Sequence, residues 1–362
     1  MSRKKFAFIV HARASIGRDV GQIFQPLKKI PDRFYEWGLG KLSLPAVDWS
    51  RAYLKDDPSE PFGFILMMPL SARQMLTMPR HEMVYRIEKA VEQARTMGAQ
   101  VIGLGALTSP LTEGGVALTH RRDVAITNGN AYTAAIMHAA LQRLLAATGG
   151  PDAEVSIVGA SGSVGSCVVE LAVRQGTARN LKLVARRPGP LNAMAEKIRQ
   201  AAPGVKVQVA TELSALKSSD VVVLLTAAAD SLLQAEHLKQ GAQVLDGTQP
   251  RNSDRSLMFE RPDVRIVDGG WVSIPGIEIT TLTEDWPRGC SFACLAETML
   301  LALDGQEKHF TIGNATADKA LHLVELAKKY GRYGFGLAPF HSFGEPLPMD
   351  WFESTQVRRD AA

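Results

Sequence analysis

Cysteine is scarce in this sequence: three residues in 362, Cys167, Cys290 and Cys294. An odd, small number cannot build a disulfide framework, and it points to a reducing, cytoplasmic setting. Strong charge of one sign is also missing. A formal net charge of +4 is too mild to imply nucleic acid, and it does not disfavour an anionic cofactor or an acidic protein partner. Long apolar runs are absent too. The opening "MSRKKFAFIVHAR" holds only Phe6 to Val10 before His11 and Arg13, too short for a signal-peptide core. "VVVLLTAAA" falls far short of a membrane span, so no transmembrane segment is expected. The 8 histidines lie without metal-ligand spacing, so no metal is expected. His11 and His138 stay open as candidates for a general base. No internal repeat or low-complexity stretch stands out.

What is present is an ordinary globular composition and a chain long enough for two domains. Residues 1–148 mix short strands and helices. "FAFIV" reads as a buried strand and "PFGFILMMPL" as a strand and turn. "RHEMVYRIEKAVEQARTMG" spaces Met83, Ile87, Ala90, Val91 and Ala94 at helical intervals and stops at Gly98. "AQVIGLGALTS" reads as a strand into a polar loop, and "NGNAYTAAIMHAALQRLLAATGG" as a turn into a long helix. Residues 149–285 alternate strands with helices, which predicts a Rossmann-like, doubly wound parallel sheet beside the smaller α/β domain. Residues 286–345 read as a helical segment packing back across the cleft, and 346–362 as a tail.

"VGASGSVG" sets Gly159, Gly162 and Gly165 between a strand and a helix. The spacing is G-x-x-G-x-x-G rather than G-x-G-x-x-G, but the physics is the same. Glycines permit a tight turn and close approach of backbone to a pyrophosphate, and the helix terminus offers unpaired N–H groups. Ser161, Ser163 and Val164 complete the candidate loop. The end of the next strand selects the cofactor. A carboxylate there would hold the ribose 2′-hydroxyl of NAD, whereas this chain has Ala185, Arg186 and Arg187. Guanidinium groups pair with a 2′-phosphate, so NADPH is the expected cofactor. Thr226 and Ala227, at the end of a later strand, either leave room for the dinucleotide or simply pack.

"PRGCSFACLAETMLLAL" holds two of the cysteines where a Pro-Arg-Gly break meets an apolar run. Free cysteine is usually a small buried side chain. Cys294, however, falls in the first turns of a predicted helix, where the dipole lowers a thiol pKa. A thiolate beside a nicotinamide can accept an acyl group from a thioester, for reduction by hydride.

That segment resembles the active-site segment of the long-chain fatty acyl-ACP (acyl-CoA) reductases best known from cyanobacteria. "ALTS", "NGNAYTA", "VGASGSVGS" with its following "ARR", "VLDGTQPRN" and "VDGGWV" occur in that family's order at similar spacing, from about Pro61 to Phe340. The resemblance implies NADPH-dependent reduction of a fatty acyl thioester to a fatty aldehyde. It makes Cys294, the cysteine of F-A-C, the acyl-accepting nucleophile. Acyl carrier protein or CoA carries the substrate, and an aldehyde-consuming enzyme is a possible partner. The family has Thr-Gly-Asn where this chain has Asn128-Gly129-Asn130.

A thioacyl intermediate needs hydrogen-bond donors for its oxyanion. Candidates are Thr108-Ser109 and the turn Asn130 to Thr133, which read equally as capping groups. Glu297, three residues after Cys294, shares its helix face and either orients the site or is solvated. Cys290 and Cys167 read as packing residues. Met67, Met68, Met75, Met78 and Met83 suggest an acyl tunnel or a plain core. Arg121-Arg122 and Lys328-Lys329 suggest a surface for an acidic carrier. Rival readings are an NADP-dependent shikimate-type or methylene-tetrahydropterin-type dehydrogenase without covalent catalysis, or a non-catalytic NADP-binding sensor. The loop after "GALTS" lacks a convincing Lys/Asp pair, which counts against the shikimate version.

Overall fold

A computed structural model describes residues 3–12, 44–226, 232–280 and 286–348. The chain is a mixed α/β protein of two six-stranded sheets. The first joins β1 (Lys5–His11), β2 (Val47–Leu54), β3 (Gly63–Met68), β4 (Ala99–Leu104) and β5 (Ala125–Thr127). Its order from the β5 edge is β5-β4-β1-β3-β2, closed on the far side by a strand from much later in the chain. β1 alternates its side chains between two layers. Ala7 and Ile9 meet Met83, Ile87 and Val91 of helix α1 (Arg80–Thr96) on one face. Phe6 and Phe8 face the rest of the molecule on the other.

Helix α2 (Asn130–Ala146) leads into the second sheet, which holds β6 (Glu154–Val158), β7 (Asn180–Val184), β8 (Lys206–Ala210), β9 (Val221–Leu224), β10 (Gln243–Asp246) and β11 (Arg265–Asp268). All pairs are parallel, in the order β8-β7-β6-β9-β10-β11. This is the Rossmann-like doubly wound sheet expected from the alternation, with its topological switch between β6 and β9. Helices α3 (Ser163–Arg174) and α4 (Pro188–Ala201) are its crossovers. The two sheets share a continuous core through α2, whose Met137 seats on Gly247 and Gly269. A Cβ on either glycine would come within 2.6 Å of that methionine.

The chain crosses back earlier than the expected boundary at 285. After β11, β12 (Trp271–Ser273) turns away, and β13 (Ile277–Ile279) pairs antiparallel with β2 at the edge of the first sheet. β12 is flanked by β14 (Cys290–Phe292) and β15 (Gly336–Leu337) in a small antiparallel sheet. Helices α5 (Ala293–Leu303) and α6 (Ala317–Lys329) follow, α5 packing on the Phe6/Phe8 face of the first sheet as the apolar run predicts. Every residue of α5 except Cys294 is buried. Each fully buried leucine contributes roughly 1.5–3 kcal/mol, more than the ~1 kcal/mol that a side-chain cap would add, so burial holds this uncapped helix in place. No described helix is long and apolar enough to cross a membrane.

Candidate active site

Cys294 lies in the first turn of α5, half-buried, after a strand-to-helix switch at Phe292. β14 fixes that switch by pairing Phe292 with Trp271, and Ala293 N–H donates to Gly270 O at 2.9 Å. The Asn128-Gly129-Asn130 turn presses directly on the cysteine. A Cβ on Gly129 would lie 2.3 Å from Cys294 Cβ and 2.5 Å from its Cα. Gly129 also has φ +78, in the left-handed region. Gly129→Ala therefore carries both backbone strain and a clash. It is expected to cost about 2–4 kcal/mol in thermal or urea unfolding and to displace Cys294 enough to change its alkylation rate.

Asn128 holds the turn from behind. Its backbone N–H donates to Thr311 O at 3.0 Å, and its side-chain Nδ2 donates to Gly114 O at 3.0 Å and Gly313 O at 2.8 Å. Its Oδ1 accepts from Asn130 N–H at 3.1 Å. A threonine has a single O–H donor and could not hold both carbonyls, which gives the Asn at 128 its physical role here. Ser109 is buried in a short helix, Thr108–Leu111, rather than in a loop. Its carbonyl accepts from Gly114 N–H, placing it one residue behind this network. Thr133 Oγ1 donates to Gly129 O at 2.8 Å and braces the turn.

Glu297 is fully buried, not solvated. Its carboxyl accepts from the Thr127 hydroxyl and, at 2.8 Å, from Tyr132 N–H, one on each side of the turn. Burial pushes its pKa up, and the bonds from Thr127 and Tyr132 oppose the shift. Glu297 thus fastens the cysteine helix to the turn.

The electrostatics of the thiol reverse the sequence expectation. Burial pushes Cys294 up to about 12, and the nearby Glu297 charge pushes the same way. The N–H groups of Leu295 and Cys294 itself pull it down, but desolvation outweighs them. The resting group is a thiol. Below its pKa the thiolate fraction grows tenfold per pH unit, so iodoacetamide alkylation of Cys294, followed by peptide mass, should climb about a decade per unit from pH 7 to 10 without a plateau. A cysteine activated by the helix terminus would level off near neutrality.

The glycine loop closes over the ends of β6, β7 and β9. Gly159 N–H donates to Val184 O at 2.8 Å, and a Cβ on Gly159, at φ +84, would lie 2.7 Å from the Leu225 carbonyl and 2.8 Å from Thr226 N. A Cβ on Gly165 would lie 2.2 Å from Gly159 O. Gly162 is the N-cap of α3 and puts no side chain over the first-turn N–H groups. Ser161 is exposed at the loop, with Ser163 and Val164 opening the helix. Ala185 follows β7, and Arg186 and Arg187 stand exposed beyond it; among the described residues no ion pair engages either. This cradle fits a dinucleotide pyrophosphate, with both guanidinium groups available to a 2′-phosphate. Ala227 lies outside the described residues.

The two halves meet. Asn130 Nδ2 donates to Ser163 Oγ at 3.0 Å, joining the turn on Cys294 to the glycine loop. Sequence reasoning offered Asn130 as an oxyanion donor and did not see this link, since nothing local ties residues 33 apart.

Other expectations fall away from the site. Cys290 is buried with Trp271 and Ala338 beside Trp286 and Phe292, and Cys167 lies in the core of α3; burial raises both thiols. Met68, Met75 and Met83 fill the α1 face of the first sheet, opposite α5. A cavity of about 400 Å³ near Ala46, Met68 and Gln93 lies on that same far face. Met78 packs on that face too, whereas Met67 turns to the other face of β3 beside Val10 and Trp49, so the five methionines do not line one continuous path. His138 is buried against Thr177 and lowered to about 4 by burial, so it stays neutral. Arg121 is paired with Glu92 and Asp123, Lys328 with Glu325 and Lys329 with Asp304, which leaves Arg122, exposed beside Arg121, as the member of these two pairs outside these ion pairs.

No protein-family model matches the chain. Aminotransferase PigE of Serratia sp. is 28% identical over 297 residues, covering 79% of this chain but only 33% of that protein. The long-chain acyl-[acyl-carrier-protein] reductase of Synechococcus elongatus is 27% identical over 292 residues, covering 74% of this chain and 80% of that protein. Among solved structures, 5-ketofructose reductase of Gluconobacter sp. strain CHM43 is 12% identical with TM-score 0.40, covering 90% of this chain and 99% of that one. Quinate dehydrogenase from Corynebacterium glutamicum, in complex with NAD, is 12% identical with TM-score 0.37, covering 73% and 88%. Structural likeness this distant bears on neither activity nor site.

Proposed function

We propose that this chain is an oxidoreductase that uses a nicotinamide cofactor, specifically NADPH, to reduce a fatty acyl thioester to a fatty aldehyde through a thioacyl group on Cys294. The observation that carries the reading is the junction of Cys294, the Gly129 turn and the glycine loop through Asn130 and Ser163. The distant likeness to the Synechococcus acyl-carrier-protein reductase agrees with it.

The chain's own residues divide the work. Cys294 Sγ attacks the thioester carbonyl, and the departing pantetheine sulfur takes up the thiol proton. This exchange is neutral in protons, so a thiol resting at high pKa needs activation only as the bond forms. The N–H groups at the start of α5 already face the sulfur and are the donors within reach of the oxyanion. The Thr133 hydroxyl is spent on Gly129 O and one N–H of the Asn130 amide on Ser163, so the first-turn N–H groups are the donors proposed for that role. Glu297 and Asn128 hold the sulfur and the turn in register. The glycine loop would hold the pyrophosphate and Arg186 and Arg187 the 2′-phosphate. When bound, NADPH supplies the hydride that releases the acyl group as an aldehyde.

The test is a product assay. Acyl-CoA and acyl-carrier-protein substrates of several lengths are mixed with NADPH, and aldehyde is quantified. Aldehyde matching the acyl chain supports the reading. NADPH oxidation or carbonyl reduction with no aldehyde from any thioester would point instead to a dehydrogenase without covalent catalysis.

A further inference from the structure

Ser163 has a hydroxyl with two acceptor lone pairs and one proton. Asn130 Nδ2 at 3.0 Å and Ala315 N–H at 2.9 Å occupy the two acceptor positions. The proton is the one capacity of that oxygen not used within the described chain. It sits in the first residue of α3, beside N–H groups that lack intrahelical acceptors. An anionic phosphate oxygen is the acceptor that matches this donor set.

The other ends of those two bonds do not stop at Ser163. Ala315 belongs to a segment whose Thr311 O and Gly313 O both accept from Asn128. Asn130 is tied back to Asn128 Oδ1. The result is a closed ring: Ser163 to Asn130, Asn130 to Asn128, Asn128 to Gly313, and Ala315 back to Ser163. Gly129, inside the ring, has no side chain and lies against Cys294 Cα and Cβ. A ring of this kind does not yield at one corner without moving another.

We propose that Ser163 and Asn130 form a mechanical link through which a dinucleotide phosphate on the glycine loop sets the position of Cys294. Asn130 is a positioning residue in this link; it touches neither the phosphate nor the acyl group. The inference rests on the proposed roles of the loop and of Cys294, but it adds a dependence of one on the other.

The test uses 2′-phospho-ADP-ribose, which carries the pyrophosphate and 2′-phosphate but no nicotinamide ring to shield the sulfur. Alkylation of Cys294 by iodoacetamide is followed with and without saturating probe, and probe binding is titrated separately on every variant. In the unaltered protein the probe is expected to change the alkylation rate at least threefold. In Asn130→Ala the change should fall below about 1.5-fold at saturating probe. Ser163→Ala, which breaks the link at its other end, should behave the same way. An unaltered protein that binds the probe with no change in alkylation overturns the link, as does an Asn130→Ala protein that keeps the full response. Failure of the link is distinguishable from failure of the thioester reading. An acyl adduct on Cys294 without the probe response refutes only the link, and the response without any adduct refutes only the thioester chemistry.

Discussion

Cys294→Ser should lower aldehyde formation from an acyl thioester by at least about a thousandfold while leaving the fold intact. The hydroxyl is a far weaker acid than even a thiol raised to about 12, and no described base contacts the position. The first-turn N–H groups would remain, but they stabilise an oxyanion only after a nucleophile has attacked. The side chain is half-buried and the replacement nearly isosteric, so the unfolding midpoint should move by no more than a few degrees. Cys290→Ser and Cys167→Ser give the contrast. Both place a hydroxyl in apolar surroundings, costing stability on the order of 1–3 kcal/mol, and both should keep turnover within a few-fold. Steady-state rates together with thermal melts on the three variants separate chemistry from packing.

Replacing Arg186 and Arg187 together by alanine should raise the KM for NADPH by about a hundredfold and leave that for NADH nearly unchanged. Each charge-assisted bond to a 2′-phosphate is worth about 1.5–3 kcal/mol, and 1.4 kcal/mol is tenfold. Both side chains are exposed at the end of β7 and make no ion pair with any described residue, so nothing in the chain would have to be broken to engage a phosphate. Their loss should leave stability within about 0.5 kcal/mol. A parallel rise in both KM values would place the arginines on the common part of the dinucleotide instead.

Much of the scaffold was legible because it is written in local patterns. The strand–glycine–helix of Glu154 to Arg174 and the apolar spacing of Arg80 to Thr96 each declare one element and its buried face. The late return of Ile277–Ile279 to the first sheet was not legible, since three residues at a sheet edge carry no periodicity of their own. The thiol's high pKa was missed for a related reason. A helix terminus can be read from sequence, but the burial that overrides it comes from elements far along the chain. The apolar opening of α5 was a hint, because a terminus so free of polar side chains is poorly solvated. The methionines misled because all sit near the first sheet, and the alternation of β3 sends Met67 and Met68 to opposite faces of it. Asn130 was offered as an oxyanion donor, and its bond to Ser163 was not legible because that partner lies across the domain junction.

The most direct measurement is the intact mass of the protein after mixing with an acyl-CoA in the absence of NADPH, with the modified peptide then sequenced. The chemistry argued here predicts a gain equal to one acyl group, located on Cys294, which disappears on adding NADPH as aldehyde appears. An unmodified Cys294 in a preparation that forms aldehyde from the same acyl-CoA once NADPH is added would contradict it.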